Sequence, residues 1–131
     1  MATFLHTMIR VLDLDRSIQF YQQALAFEVT ARREFSDFTL VYLGNAECPV
    51  ELELTLNHGR SEPYTHGSGY GHIAVSVADV VAEYARFKAL GFAPRDIVEF
   101  KEADELLAKF FFVQDPDGYE IEVLQRLGRY Q

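Results

Sequence analysis

Two segments of the chain share one pattern, and their spacing is the strongest constraint on the fold. The segment YGHIAVSV at positions 70–77 predicts a strand near mid-chain, and LHTMIRV at positions 5–11 is a weaker copy. Their histidines, His6 and His72, lie 66 positions apart, half of the 131 residues. The sequence therefore indicates an internally duplicated module, with a histidine on the first strand of each copy.

The first copy continues with a helix and then strands. Asp13 or Asp15 can cap a helix that ends near Ala24. Strands are predicted at 38–43 and 50–56, and the second of these alternates between an apolar and a polar face.

The second copy repeats this order. Asp79 can cap a helix that ends near Leu90, and strands are predicted at 109–113 and 119–124. The repeat predicts an α+β fold with a curved, antiparallel-rich sheet in each copy. We expect residues 1–131 to form a single domain with these parts: modules at about 1–60 and 70–131, joined by a linker at about 58–69.

The helices are predicted to end on matching triplets, LAF at 25–27 and LGF at 90–92. Gly91 suits a left-handed helix end. Because Ala26 replaces the glycine, its helix has either a slightly strained left-handed end or a different one.

Composition narrows the function classes. The net charge of −8 argues against nucleic acid and anionic membranes as partners. Cys48 is the single cysteine, which excludes an intrachain disulfide and favours a reducing compartment. No leader-like segment and no long apolar run occurs, so a cytoplasmic protein is expected.

Histidine and glutamate recur at corresponding places in the two copies. Glu53 follows His6 by 47 positions, and Glu122 follows His72 by 50. All four side chains fall on the less apolar face of their predicted strands, and two imidazoles with two carboxylates suit a divalent first-row metal. The alternative is that each histidine is an ordinary hydrogen-bonded side chain and each glutamate is solvated.

Strand alternation leaves the choice of glutamate open. Glu51 shares a face with Glu53, and Glu120 shares one with Glu122. Arg10 lies four residues past His6, and Asn57 lies four past Glu53, about 13 Å along a strand. Both can reach the far end of a ligand bound at the metal, or they can be a surface cation and a turn residue.

Four groups of motifs, spread over nearly the whole chain, together resemble glyoxalase I (lactoylglutathione lyase) of the vicinal-oxygen-chelate superfamily. They are LHTMIRV at 5–11 with DLDRS at 13–17 and FY at 20–21; LELT at 52–55 with Asn57 and Gly59; YGHIA at 70–74; and DPDGY at 115–119 with IE at 121–122. Their conjunction is far more specific than any one motif.

The resemblance implies two tandem βαβββ modules with curved mixed sheets. It implies metal ligation by His6, Glu53, His72 and Glu122 at the interface of a homodimer, where the N-terminal module of one subunit faces the C-terminal module of the other. The short chain looks like the bacterial class that prefers nickel or cobalt, with zinc possible.

The resemblance also implies the reaction. The hemithioacetal of methylglyoxal and glutathione is isomerised to S-lactoylglutathione through a metal-bound ene-diolate, which detoxifies methylglyoxal. Glu122 is the implied chief base, and Glu53 can act on the opposite face. Arg10 and Asn57 match positions that hold the γ-glutamyl end.

The chain departs from this family in one loop. Residues 99–107 (EFKEADELL) stand where the bacterial enzymes carry a Lys-Gly-Gly-like loop that helps to hold the glycyl carboxylate. Because carboxylates repel a carboxylate unless Lys101 or Lys109 compensates, we hypothesise altered recognition of the thiol cosubstrate.

Two other functions fit the same residues. One is a different metalloenzyme of the superfamily: an epimerase, a dioxygenase or a thiol transferase. The other is a metal-free binding protein that sequesters a small molecule. A functional ligand at Glu53 counts against a two-histidine, one-glutamate dioxygenase, and the presence of all four ligand residues disfavours a binding protein.

Overall fold

The two halves of the chain fold with the same order of elements. A computed structural model describes all 131 residues, which form two compact units at 1–65 and 66–131. The elements are β1 (His6–Arg10), α1 (Leu14–Leu25), β2 (Glu28–Glu34), β3 (Phe38–Gly44) and β4 (Glu51–Asn57) in unit 1, and β5 (Ile73–Val77), α2 (Val80–Ala89), β6 (Val98–Glu102), β7 (Glu105–Gln114) and β8 (Glu120–Gln125) in unit 2. The βαβββ order in each unit confirms the predicted α+β fold.

Each unit contains one four-stranded mixed sheet. The strand order is β1-β4-β3-β2 in unit 1 and β5-β8-β7-β6 in unit 2. The first strand of each unit pairs in parallel with the last, and the other pairs are antiparallel. The histidine-bearing and glutamate-bearing segments are therefore neighbours in each sheet.

One face of each sheet belongs to the core. In unit 1, Ile9, Leu54 and Val41 lie side by side on neighbouring strands and are buried. In unit 2, the ring of Phe111 contacts that of Phe87 on α2, with centroids 5.3 Å apart. Because successive side chains of a strand alternate, the adjacent residues, the glutamates among them, point to the opposite face.

Both helices begin as predicted. The Asp13 side chain accepts a hydrogen bond from the backbone N–H of Arg16 at 3.1 Å, and Asp79 accepts one from that of Ala82 at 3.0 Å. Helix α1 ends on Ala26 in the left-handed conformation, with φ of 54°, and Gly91 adopts φ of 82° just after α2. Neither helix is long and apolar enough to span a membrane.

The structure corrects the prediction at three strands. Strand β5 begins at Ile73 rather than at residue 70, so His72 immediately precedes the strand instead of lying on it. The ladder to β8 begins only at the pair Ile73 and Ile121, after Gly71, a residue type that strands disfavour. The residue pattern also failed to locate β2 and β6, because both are edge strands with almost entirely exposed side chains.

Candidate metal centre

Unit 1 brings together the first predicted histidine and glutamate. His6 is the first residue of β1 and is paired with Glu51 on β4. Glu53 lies two residues further along β4, on the same face as Glu51. Its Oε2 atom is 3.2 Å from Nε2 of His6. The Glu53 side chain is only 10% exposed whereas that of His6 is 39% exposed, so the imidazole offers an accessible edge beside a buried carboxylate.

Unit 2 builds the same pair from the corresponding residues. Glu122 on β8 is paired with Ala74 on β5, two residues after His72. The distance from Nε2 of His72 to Oε2 of Glu122 is 3.7 Å. The two His–Glu pairs are thus repeated at equivalent positions in the two sheets.

The competing glutamates are bound to other partners. The hydroxyl of Thr30 donates a hydrogen bond to Glu51. Arg95 donates two hydrogen bonds to Glu120, at 3.1 and 2.9 Å, and the Gln114 amide donates a third at 3.0 Å. These bonds, chiefly that from Arg95, lower the pKa of Glu120 below its usual value. Side-chain partners therefore distinguish glutamates that strand alternation could not.

Tyr42 contacts both members of the pair in unit 1. It lies opposite Glu53 in the antiparallel ladder, and its hydroxyl donates a hydrogen bond to Oε1 of Glu53 at 2.8 Å. Its ring meets the ring of His6 edge-on at 5.6 Å. The hydrogen bond to Glu53, together with burial, raises the pKa of Tyr42.

Phe112 is the counterpart of Tyr42 in unit 2. It lies opposite Glu122, and its ring meets that of His72 edge-on at 5.3 Å. Without a hydroxyl it donates nothing to the carboxylate. Sequence reasoning missed both aromatic residues. Tyr42 lies 11 positions before Glu53 whereas Phe112 lies 10 before Glu122, so the equivalence of the two rings appears only in the strand pairing.

Arg10 and Asn57, the residues predicted to reach the far end of a ligand, lie at the far end of the face that carries His6 and Glu53. Arg10 ends β1 beside Thr55, and Asn57 ends β4 two residues further on. The Asn57 side-chain amide donates to the hydroxyl of Tyr64 at 2.9 Å. Both residues lie in unit 1, past the His–Glu pair, as the spacing required.

The donor atoms fit a divalent first-row metal. Each unit presents one imidazole nitrogen and one carboxylate, a set that such ions accept. No group of three or more His, Cys, Asp or Glu side chains that could hold a metal occurs in the chain. Each unit by itself therefore supplies two donors, one imidazole and one carboxylate.

Known proteins match most of this chain. Residues 3–123 match the family model of the Glyoxalase/Bleomycin resistance protein/Dioxygenase superfamily. A lactoylglutathione lyase from Haemophilus influenzae is 42% identical over 126 residues, which cover 92% of this chain and 90% of that protein.

Two solved structures agree with the sequence match. The trypanothione-dependent glyoxalase I of Leishmania major superposes with a TM-score of 0.76 at 40% identity, covering 95% of this chain and 87% of that one. Glyoxalase I from Zea mays gives a TM-score of 0.82 at 32% identity, covering 95% of this chain and 45% of the maize chain.

The chain therefore belongs to the Glyoxalase/Bleomycin resistance protein/Dioxygenase superfamily, whose architecture is the vicinal-oxygen-chelate fold. Several relatives at 36–42% identity over most of the chain are lactoylglutathione lyases. Within the superfamily it is an enzyme of the lactoylglutathione lyase, or glyoxalase I, type.

Proposed function

We propose that this enzyme isomerises the methylglyoxal–glutathione hemithioacetal to S-lactoylglutathione and thereby detoxifies methylglyoxal. The observation that carries the proposal is the pairing of His6 with Glu53 and of His72 with Glu122 at equivalent places in two sheets. Membership of the glyoxalase I family supports a divalent metal and a glutathione-derived substrate at these pairs.

The four residues His6, Glu53, His72 and Glu122 would hold the metal. When bound, the dipositive ion would neutralise the negative charge that develops on the substrate oxygens as a carbon-bound proton leaves. Glu122 takes that proton and returns it to the neighbouring carbon, so the reaction passes through an ene-diolate. Glu53 would act on the opposite face only when its carboxylate is released from the hydrogen bond with Tyr42, and Arg10 and Asn57 would bind the γ-glutamyl end.

We further propose a homodimer in the cytoplasm. Each unit supplies two donors, and a first-row metal prefers four to six ligands including water. The N-terminal module of one subunit would complete the ligand set of the C-terminal module of the other, while the 58–69 linker joins the two modules as one domain. Nickel or cobalt is the favoured ion, with zinc as the alternative.

Metal removal and replacement test this function. The metal-stripped protein should be inactive on the methylglyoxal–glutathione adduct, and nickel or cobalt should restore turnover at a stoichiometric amount. His72→Ala should lose the metal, whereas His58→Ala should keep it, because His58 is hydrogen-bonded to Thr39 and Ser36 instead. Failure of every divalent ion to give activity would contradict the proposal.

A second proposal concerns the thiol cosubstrate. Glu99 lies 3.7 Å from the ammonium of Lys101 and 3.5 Å from that of Lys109, so both lysines that could attract a glycyl carboxylate already face a glutamate. Further carboxylates are exposed where β6 turns into β7: Glu102, Asp104 and Glu105. This hairpin therefore disfavours a free carboxylate.

A row of aromatic rings connects this hairpin to the histidine of unit 2. Phe100 contacts Phe110 at 5.3 Å, Phe110 contacts Phe112 at 5.7 Å, and Phe112 contacts His72 at 5.3 Å. The row supports a cosubstrate that extends from the metal toward the acidic hairpin. We propose that a thiol whose glycyl end is amidated or cationic binds there better than glutathione.

Variation among relatives makes this preference reasonable, since the Leishmania neighbour is trypanothione-dependent. The test compares kcat/KM for hemithioacetals of glutathione and of glutathione amidated at glycine. The amide should be preferred, and Glu102→Gln with Glu105→Gln should reduce the preference. A clear preference for the free acid in the unmodified enzyme would refute this proposal and leave the isomerase function standing.

A further inference from the structure

We infer that Tyr42 is a positioning residue that makes the two carboxylates of the metal centre unequal. Its hydroxyl fixes Glu53 as a stationary ligand and thereby leaves Glu122 as the carboxylate free to move a proton. The inference rests on the proposed function and adds a residue from outside the four ligands.

The two oxygens of Glu53 have different neighbours. Oε1 accepts a hydrogen bond from the Tyr42 hydroxyl at 2.8 Å, and Oε2 lies 3.2 Å from Nε2 of His6. The carboxylate cannot rotate about its last bond without breaking the bond to Tyr42. Since its side chain is 10% exposed, water is poorly placed to replace that bond.

Tyr42 is itself held in place from two directions. The backbone ladder sets it opposite Glu53, and its ring packs edge-on against His6 at 5.6 Å. One side chain therefore orients both donors of unit 1. Partners of this kind commonly change metal affinity or activity by about 10- to 100-fold when they are removed.

Unit 2 supplies an internal control for this arrangement. Phe112 repeats the position and ring packing of Tyr42, with its centroid 5.3 Å from that of His72. It has no hydroxyl, and the contact of Glu122 is with His72, whose Nε2 lies 3.7 Å from Oε2. No hydroxyl at this position therefore restrains Glu122, and a base that takes and returns a proton has to move.

Two single-atom exchanges test the inference on the cobalt-loaded enzyme. Tyr42→Phe gives unit 1 the chemistry of unit 2, and it should weaken Co2+ affinity by about tenfold and alter the visible absorption spectrum of the ion. Phe112→Tyr should lower kcat by about tenfold while Co2+ stays bound. Tyr84→Phe removes a tyrosine hydroxyl that donates to Asp96 at 3.1 Å, and it should change neither readout.

A combined variant gives the sharpest outcome. In a Glu122→Gln background, adding Tyr42→Phe should raise the residual kcat, because Glu53 is released to act as the base. An unchanged spectrum and affinity in Tyr42→Phe, with the unmodified enzyme active, would overturn this inference alone. Absence of any metal-dependent isomerase activity in the unmodified enzyme would instead overturn the proposed function.

Discussion

In unit 1 Tyr42 donates its hydroxyl to Glu53, whereas in unit 2 Phe112 occupies the same place and offers Glu122 no donor. The ladder pairing of each ring with its glutamate and the edge-on contact of each ring with its histidine are otherwise alike. The two units repeat one backbone arrangement, but the hydroxyl oxygen of Tyr42 gives the carboxylate of Glu53 a different environment from that of Glu122.

A second difference concerns the carboxylates that do not face the histidines. Thr30 and Arg95 stand at matching positions, each three residues after the phenylalanine of the LAF or LGF triplet. Thr30 holds Glu51 with one hydroxyl, whereas Arg95 holds Glu120 with two charged donors. Each unit thus gives its second glutamate a partner other than the histidine, and unit 2 does so with the stronger, charge-assisted bonds.

The faces beyond the His–Glu pairs differ as well. In unit 2, Ala108, Phe110 and Leu124 form a buried cluster against which Phe112 and Tyr130 pack. In unit 1 the position equivalent to Leu124 is Thr55, beside Arg10. The face is therefore polar beside Arg10 in unit 1, whereas it is apolar and buried at the equivalent place in unit 2.

The largest expected effect separates the two glutamates. Glu122→Gln should lower kcat by about 10²- to 10⁴-fold, because the proton carrier is lost, while the protein keeps much of its metal. Glu53→Gln should reduce metal affinity more than the kcat of the fully loaded enzyme. Steady-state kinetics at saturating metal, with metal content measured on the same samples, checks both. A near-normal kcat for Glu122→Gln would show that the base is another residue.

The next effect compares the residues that restrain the second glutamates. Arg95→Met should lower kcat/KM by about tenfold, because a released Glu120 competes with Glu122 for His72. Thr30→Val should cost less, since one neutral hydroxyl is removed rather than two charged donors. Equal losses in the two variants would mean that these partners do not restrain the glutamates differently.

A smaller effect on stability is expected at two equivalent turns. Asp115 is buried and accepts hydrogen bonds from the N–H groups of Asp117 and Tyr119, both at 2.9 Å. Asn45 accepts one such bond, from Glu47 at 3.0 Å. Asp115→Ala should lower the free energy of unfolding by about 2–3 kcal/mol and Asn45→Ala by about 1 kcal/mol. Urea unfolding measures both, and the reverse order would contradict the hydrogen-bond argument.

The smallest effect is expected at the helix ends. A Cβ atom added at Gly91 would meet nothing within 4 Å, so Gly91→Ala should cost only the backbone strain of its left-handed φ, about 1 kcal/mol. Ala26→Gly should relieve similar strain, offset by the entropy of the unfolded chain, for a net gain of about 0.5 kcal/mol. The same unfolding experiment checks the opposite signs, and a destabilised Ala26→Gly would refute the explanation.

Much of the fold could be predicted because the order of strand, helix and further strands is repeated in the two halves of the sequence. Asp13 and Asp79 marked the helix starts, and the alternation of β4 placed Glu53 on the face that carries His6. Strands β2 and β6 escaped the residue pattern because an exposed edge strand has no apolar face to create alternation.

The details of the site depend on residues distant in sequence. Glu51 and Glu53 share a face, and contacts between distant residues distinguish them: Thr30 holds Glu51, 21 positions away, whereas Glu53 meets His6 and Tyr42. Arg95 and Glu120 are likewise 25 positions apart. Local patterns therefore identify a candidate ligand set, whereas the partners that restrain it appear only when the strands are paired.

The outer strands β2 and β6 have one further consequence. Each has an irregular register with its neighbour, and each carries ionic side chains such as Arg32, Glu34, Glu99 and Lys101. A straight, apolar strand edge can recruit the edge of another molecule and start aggregation. Charge and irregularity on both outer strands oppose such recruitment by the open edges of the two sheets.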